Sequence, residues 1–180
     1  MDTIGAYLDQ TAELEKEAFL KKFPHPFLVT VEEQRGGVPK ALAPGGDVTQ
    51  AATVCQSPGM ARQATIAARD AKVYVIAKRS GANKENDVTA GRSRDNDIWM
   101  DDAEVSKHHV RFRVSGSKIE IFDLNSTNGT FVNEKRLEKG GSLVVRPNDS
   151  VRFGRAARTQ LLDADAFYEY LSLLRKFVGL

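Results

Sequence analysis

The residues best equipped for chemistry lie in three short segments in the middle and later part of the chain. Gly91-Arg92-Ser93-Arg94, Ser106-Lys107-His108-His109 and Asn125-Ser126-Thr127-Asn128-Gly129-Thr130 each combine hydroxyls, amides or a guanidinium with small residues that expose backbone N–H groups. That is the equipment for holding a tetrahedral oxyanion. An arginine fork meets two oxygens, and hydroxyls and loop N–H groups meet the rest. A phosphate monoester carries about −1.5 to −2 charges and three acceptor oxygens near neutral pH. Each hydrogen bond to such a group contributes about 1.5–3 kcal/mol net.

These segments need a scaffold that brings them together, and the surrounding sequence reads as strands. The candidates are Val73 to Ala77, Asp87 to Ala90, Ile98 to Met100, His109 to Val114, Lys118 to Leu124, Thr130 to Asn133, Ser142 to Arg146 and Ser150 to Phe153. In the fourth of these, Val110, Phe112 and Val114 fall on one face and Arg111 and Arg113 on the other, the period of a half-buried strand. Short strands at this spacing predict an all-β sandwich or barrel, whose end loops can converge on one patch.

Both ends of the chain read as helices. Asp2 or Thr3 can cap the first, in which Ile4, Leu8, Ala12, Phe19 and Phe23 recur at helical spacing until Pro24 and Pro26 stop it. Phe27 to Val31 follows as a short strand, and residues 35–62 read as irregular chain. Asp163 or Asp165 can cap the last helix. Its stripe of Phe167, Leu171, Leu174 and Val178 predicts a packing face, against either the N-terminal helix or the sandwich. The expected organisation is an N-terminal extension over 1–70, a β domain over 71–156 and a C-terminal helix over 157–180.

Composition narrows the function. The chain has 180 residues, 41% hydrophobic and 28% charged, with 26 Lys and Arg against 24 Asp and Glu. So even a balance argues against a nucleic-acid polycation, and any anion preference must come from local clustering. One cysteine, Cys55, permits no internal disulfide, which suits a reducing compartment. No signal-like opening and no apolar run of membrane length is present, so a cytoplasmic protein is expected. There is no Walker A loop, dinucleotide fingerprint, His-Glu-x-x-His or nucleophile elbow, and no enzyme is expected.

At the three segments the sequence resembles the forkhead-associated (FHA) domain family. That family's pattern is Gly-Arg, then Ser-x-x-His, then Ser-x-Asn-Gly-Thr, along an all-β chain; the resemblance spans about residues 71–156. It implies an antiparallel β-sandwich that binds phosphothreonine peptides without catalysis or cofactor, as an adaptor in Ser/Thr kinase signalling. The partner would be a kinase or a kinase substrate. Carried onto this chain, Arg92 and Ser106 match the pair that holds the phosphate, and Lys107 and Thr127 match positions that add phosphate contacts. Asn128 matches the amide that binds the ligand's main chain. Gly91 and His109 match structural positions, and Gly129 a backbone conformation unfavourable to a Cβ. Glu134 stands where a hairpin glycine is common, and Asn148 where a glycine is frequent.

Plainer roles exist for each residue. Arg92 could pair with Asp95 or Asp97, Ser106 could cap a turn, and Asn128-Gly129 could be a tight turn. Lys107, Arg94 and Arg111 could be solvated charges. His108 and His109 are adjacent, and adjacent strand residues face opposite ways, which argues against a shared metal. The rival function is a scaffold that binds partners independently of phosphate, through another face or the terminal helices. Thr49, Thr53 and Thr65 are candidate phosphorylation sites of the protein's own.

Overall fold

A computed structural model describes residues 2–31, 68–79, 87–155 and 157–178. Cys55, Thr49, Thr53, Thr65 and the stretch expected to be irregular lie outside the described residues. The chain divides into two compact units, one of Met1–Tyr74 with Leu162–Leu180 and the other of Val75–Leu161.

In the first unit the expected N-terminal helix is two helices, α1 (Ile4–Gln10) and α2 (Lys16–Lys22). The Thr3 hydroxyl accepts the Ala6 N–H and starts α1. Thr11 ends it: its hydroxyl turns back to the Tyr7 carbonyl, and the Arg175 guanidinium donates to its carbonyl and its hydroxyl. A hydroxyl that bonds its own helix's last turn competes with continuation, which is why the apolar spacing alone overran the break. The last helix, α3 (Ala164–Val178), is capped by Asp163, whose Oδ1 accepts the Ala166 N–H at 2.8 Å. Asp165 instead pairs with Lys16 at 2.9 Å. In the α3 stripe Phe167, Leu171 and Leu174 are buried, as a packing face requires, and the N-terminal helices lie against it. The Phe167 ring lies 5.1 Å from Tyr7, 4.3 Å from Phe27 and 6.1 Å from Phe19. Three strands complete the unit, β1 (Asp2–Thr3), β2 (Phe27–Thr30) and β3 (Lys72–Val75), in the order β1-β3-β2.

The second unit is the β-sandwich. Its first sheet runs β10 (Ser142–Val145), β7 (Lys118–Asp123), β6 (Val110–Ser115), β4 (Asp87–Gly91), β5 (Ile98–Trp99). The pairings are antiparallel except for β4 with β5, which run parallel over two residues each. Its second sheet runs β12 (Ala157–Leu162), β11 (Ser150–Phe153), β8 (Thr130–Val132), β9 (Lys135–Arg136). Val110, Phe112, Ile121, Val151 and Phe153 are fully buried, so the period of two did mark the inner faces. Arg111 and Arg113 fall on the outer face, where they pair with Asp87 and lie over the Phe122 ring.

One segment expected as helix is strand. Residues 157–162, with Ala, Arg, Gln and two leucines, favour helix by propensity, but residues 157–160 pair residue for residue with β11, and the Thr159 hydroxyl bonds the Val151 carbonyl at 2.7 Å. The two departures at turns resolve as well. Asn133 and Glu134 both take positive φ, 48° and 63°, between β8 and β9, the conformation of a two-residue hairpin turn. Asn148 has φ 72°, the left-handed conformation that asparagine tolerates.

Candidate functional site

The first two loops are stitched by backbone. Arg92 N–H donates to the Ser106 carbonyl at 2.9 Å, and Ser93 N–H to the Lys107 carbonyl at 3.0 Å. This approach requires glycine at the end of β4: a Cβ on Gly91 would stand 2.2 Å from the Lys107 carbonyl oxygen. Asn96, 1% exposed, locks the contact by donating from Nδ2 to the Ser93 carbonyl at 2.8 Å and the Lys107 carbonyl at 2.7 Å.

His109 ties the second loop to the third. It is fully buried, and its Nδ1 accepts the Ser106 N–H at 2.9 Å. The ring proton therefore sits on Nε2, which donates to the Gly129 carbonyl at 3.2 Å. Burial holds the imidazole below its ordinary value of 6.5, against the opposing pull of the Gly129 carbonyl and Asp123. Gly129 has φ +85°, the conformation a Cβ disfavours. Beneath this loop, Asp123 is 3% exposed and accepts from the Ser126 N–H at 3.0 Å, the Ser126 hydroxyl at 2.6 Å and the Thr130 hydroxyl at 2.6 Å. Burial raises its carboxyl, but these donors more than offset that and hold it below the ordinary 3.8.

On this frame the side chains converge. The Ser106 hydroxyl accepts the Thr127 N–H at 2.9 Å and lies 3.3 Å from the Thr127 hydroxyl. Arg92 is exposed, with Nε 3.3 Å from the Val105 carbonyl. Asn128 donates from Nδ2 to the Glu104 carbonyl at 3.0 Å and its carboxylate at 3.1 Å. Lys107 has an exposed side chain, and it is its carbonyl that holds the loops together.

The plainer reading of Arg92 finds no support among the described residues. Asp95 lies 3.5 Å from His108, while Asp97 serves Thr89, Lys78 and Arg79. His108 turns to Asn96 and Asp95, away from the buried His109. Arg94 stacks on Trp99 with its guanidinium 4.6 Å from the ring centroid. Among the participants, Asp123 adjoins the third motif and shares the family resemblance, whereas sequence patterns did not single out Asn96 and Glu104. Asp123 had a legible signal, since an acid three residues before Ser126 suits a side-chain turn; Asn96 and Glu104 act across loops and had none. The assembled groups are an exposed guanidinium, two hydroxyls and an amide at one end of the sandwich, suited to receiving an anionic ligand.

Residues 88–154 match the family model of the FHA domain. Over 68 residues the chain is 39% identical to the glycogen accumulation regulator GarA of Mycolicibacterium smegmatis, covering 38% of this chain and 41% of that protein. It is 37% identical over 68 residues to the oxoglutarate dehydrogenase inhibitor of Corynebacterium glutamicum, covering 38% of this chain and 46% of that one. The match thus spans less than half the length of these curated relatives. A solved structure from work on phosphothreonine-dependent FHA domain interactions is similar at 26% identity and TM-score 0.42, covering 51% of this chain and 83% of that one. An FHA domain from Chlamydia trachomatis is similar at 15% identity and TM-score 0.48, covering 77% and 97%.

Proposed function

We propose that the FHA domain this chain carries at residues 88–154 reads phosphothreonine in a partner protein and performs no chemistry of its own. The observation that carries this reading is the joining of the Arg92 backbone, Ser106 and Thr127 across three loops, with the exposed Arg92 side chain at the Val105 carbonyl, one residue before Ser106. Arg92 supplies a fork for two phosphate oxygens, and Ser106 and Thr127 supply hydroxyls for a third. Lys107 adds a mobile point charge from the rim. Asn128 meets the ligand's main chain and sets its register. Gly91, His109 and Gly129 hold the loops and touch no ligand.

The protein then acts as an adaptor in Ser/Thr kinase signalling, and its partner is a phosphorylated kinase or kinase substrate. The similar proteins are named as a regulator and an inhibitor, which fits a binding role. Among the described residues no helix is long and apolar enough to cross a membrane. Residence in the cytoplasm, where such kinase substrates are found, belongs to the same reading.

The test is fluorescence anisotropy with phosphothreonine, phosphoserine and unmodified versions of peptides drawn from a degenerate library. Binding that needs phosphate and favours threonine supports the reading. Equal binding of modified and unmodified peptides contradicts it and favours the phosphate-independent scaffold.

A further inference from the structure

We infer that Glu104 is a positioning residue of the peptide site, committing Asn128 to meet the ligand as a hydrogen-bond acceptor. This rests on the phosphothreonine reading of the same site. An amide side chain offers two N–H donors and one oxygen with two lone pairs. The Asn128 Nδ2 donates to the Glu104 carbonyl at 3.0 Å and to Glu104 Oε2 at 3.1 Å. Both donors are used within the protein, and Asn128 Oδ1 has no partner among the described residues. A carboxylate and a carbonyl only accept, so together they decide which end of the amide faces inward. Turning the amide over would set its oxygen against two others and forfeit both bonds.

Glu104 is itself held in place. Its N–H donates to Asp102 Oδ1 at 2.8 Å, and the Val105 N–H closes onto the Asp102 carbonyl at 3.1 Å. Gly154, at φ +68°, packs behind the pair: a Cβ there would stand 2.7 Å from the Glu104 carbonyl oxygen and 3.3 Å from Asn128 Cβ. Segments around residues 104, 128 and 154 therefore converge to orient one amide.

The consequence is a rule for the ligand. The outward Oδ1 needs a donor, and the donor that a peptide's main chain supplies at each residue except proline is its N–H. The phosphopeptide residue opposite Asn128 must carry a free main-chain N–H, and proline is excluded there.

The probe is the tightest phosphothreonine peptide from a degenerate library, together with variants in which one backbone N–H at a time is replaced by an ester oxygen. Against the full wild-type chain, one ester position should weaken binding about fivefold, the effect of losing one neutral hydrogen bond. Glu104→Gln should keep that sensitive position, because a glutamine oxygen still accepts from Asn128. Glu104→Lys removes the carboxylate acceptor and presents a donor in its place, leaving only the main-chain carbonyl of residue 104 to hold Nδ2 inward. The ester penalty at that position should then shrink while phosphate dependence persists. A merely structural role for Glu104 would lower stability without changing which ester matters.

A second measurement needs no variant. In wild-type protein the Asn128 Nδ2 proton resonances should shift less on peptide binding than the backbone amides of Ser106 and Thr127. Phosphate-dependent binding with no ester-sensitive position, an ester penalty undiminished in Glu104→Lys, or large Asn128 Nδ2 shifts would each overturn the inference. Wild-type binding that ignores phosphate would instead overturn the phosphothreonine reading, and this inference with it.

Discussion

The Ser106 hydroxyl oxygen accepts the Thr127 backbone N–H at 2.9 Å, joining loops 21 residues apart in the chain. One small side chain thereby serves as strut and as candidate ligand contact. Ser106→Ala should separate these roles. Thr127 is exposed, so water can take over its N–H and stability should fall by about 1 kcal/mol at most. Phosphopeptide affinity should fall about tenfold or more, since a bond to a charged group is lost. Calorimetric titration and melting of the same samples check both numbers.

Two glycines should respond to alanine in different ways. Gly91→Ala drives a Cβ into the Lys107 carbonyl, 2.2 Å away, and disturbs the bonds that align Arg92 and Ser106. Gly116 has φ +60° but nothing within 4 Å of where a Cβ would stand, so Gly116→Ala costs about 1–2 kcal/mol of backbone strain and no more. Gly91→Ala should lose both stability and peptide binding, while Gly116→Ala should lose stability with affinity unchanged. Equal affinities for the two variants would contradict the close approach assigned to Gly91.

Acidification should weaken the unit in two stages. His109 titrates below 6.5 when folded, so between that depressed value and 6.5 the unfolded chain binds more protons and stability rises with pH. Its contribution is complete above 6.5 and is lost as pH falls toward the folded value. Asp123 sits below 3.8 when folded, so its contribution is complete above 3.8 and is lost on further acidification. Urea unfolding across pH 7 to 3 should show the first decline beginning below 6.5. His109→Gln should start less stable and show a flatter limb there.

Glu134 tests whether strain or ion pairing dominates at the hairpin turn. It holds φ 63°, and its carboxylate takes Arg152 at 3.0 Å and Arg158 at 3.1 Å. Glu134→Ala loses the pairs and keeps the strain, whereas Glu134→Gly loses the pairs and relieves it. The glycine variant should be about 1 kcal/mol more stable than the alanine variant. Equal melting temperatures would show that the turn is unstrained.

The sandwich was legible because burial imprints period two on β6 and β7, where Val110, Phe112, Ile119 and Ile121 face inward. The three loop segments stood out because their residue types are unusual together in loops, and the structure joins them through backbone bonds, Ser106 and His109. What escaped was set by partners distant in sequence. Residues 157–160 become strand through pairing with β11, against their own propensity. Thr11 breaks the N-terminal helix in the company of Arg175, 164 residues later. Glu104 looks like any surface acid until Asn128, 24 residues on, is placed against it. Periodicity reports burial, and it is silent on which loop residues meet.

Arg92 carries the phosphothreonine reading most directly. The measurement is the ratio of dissociation constants for unmodified and phosphothreonine forms of one peptide, in wild type and in Arg92→Ala, with melting curves to confirm folding. The wild-type ratio should be large and should collapse toward one in the variant. An undiminished ratio in folded Arg92→Ala would show that the phosphate is held elsewhere.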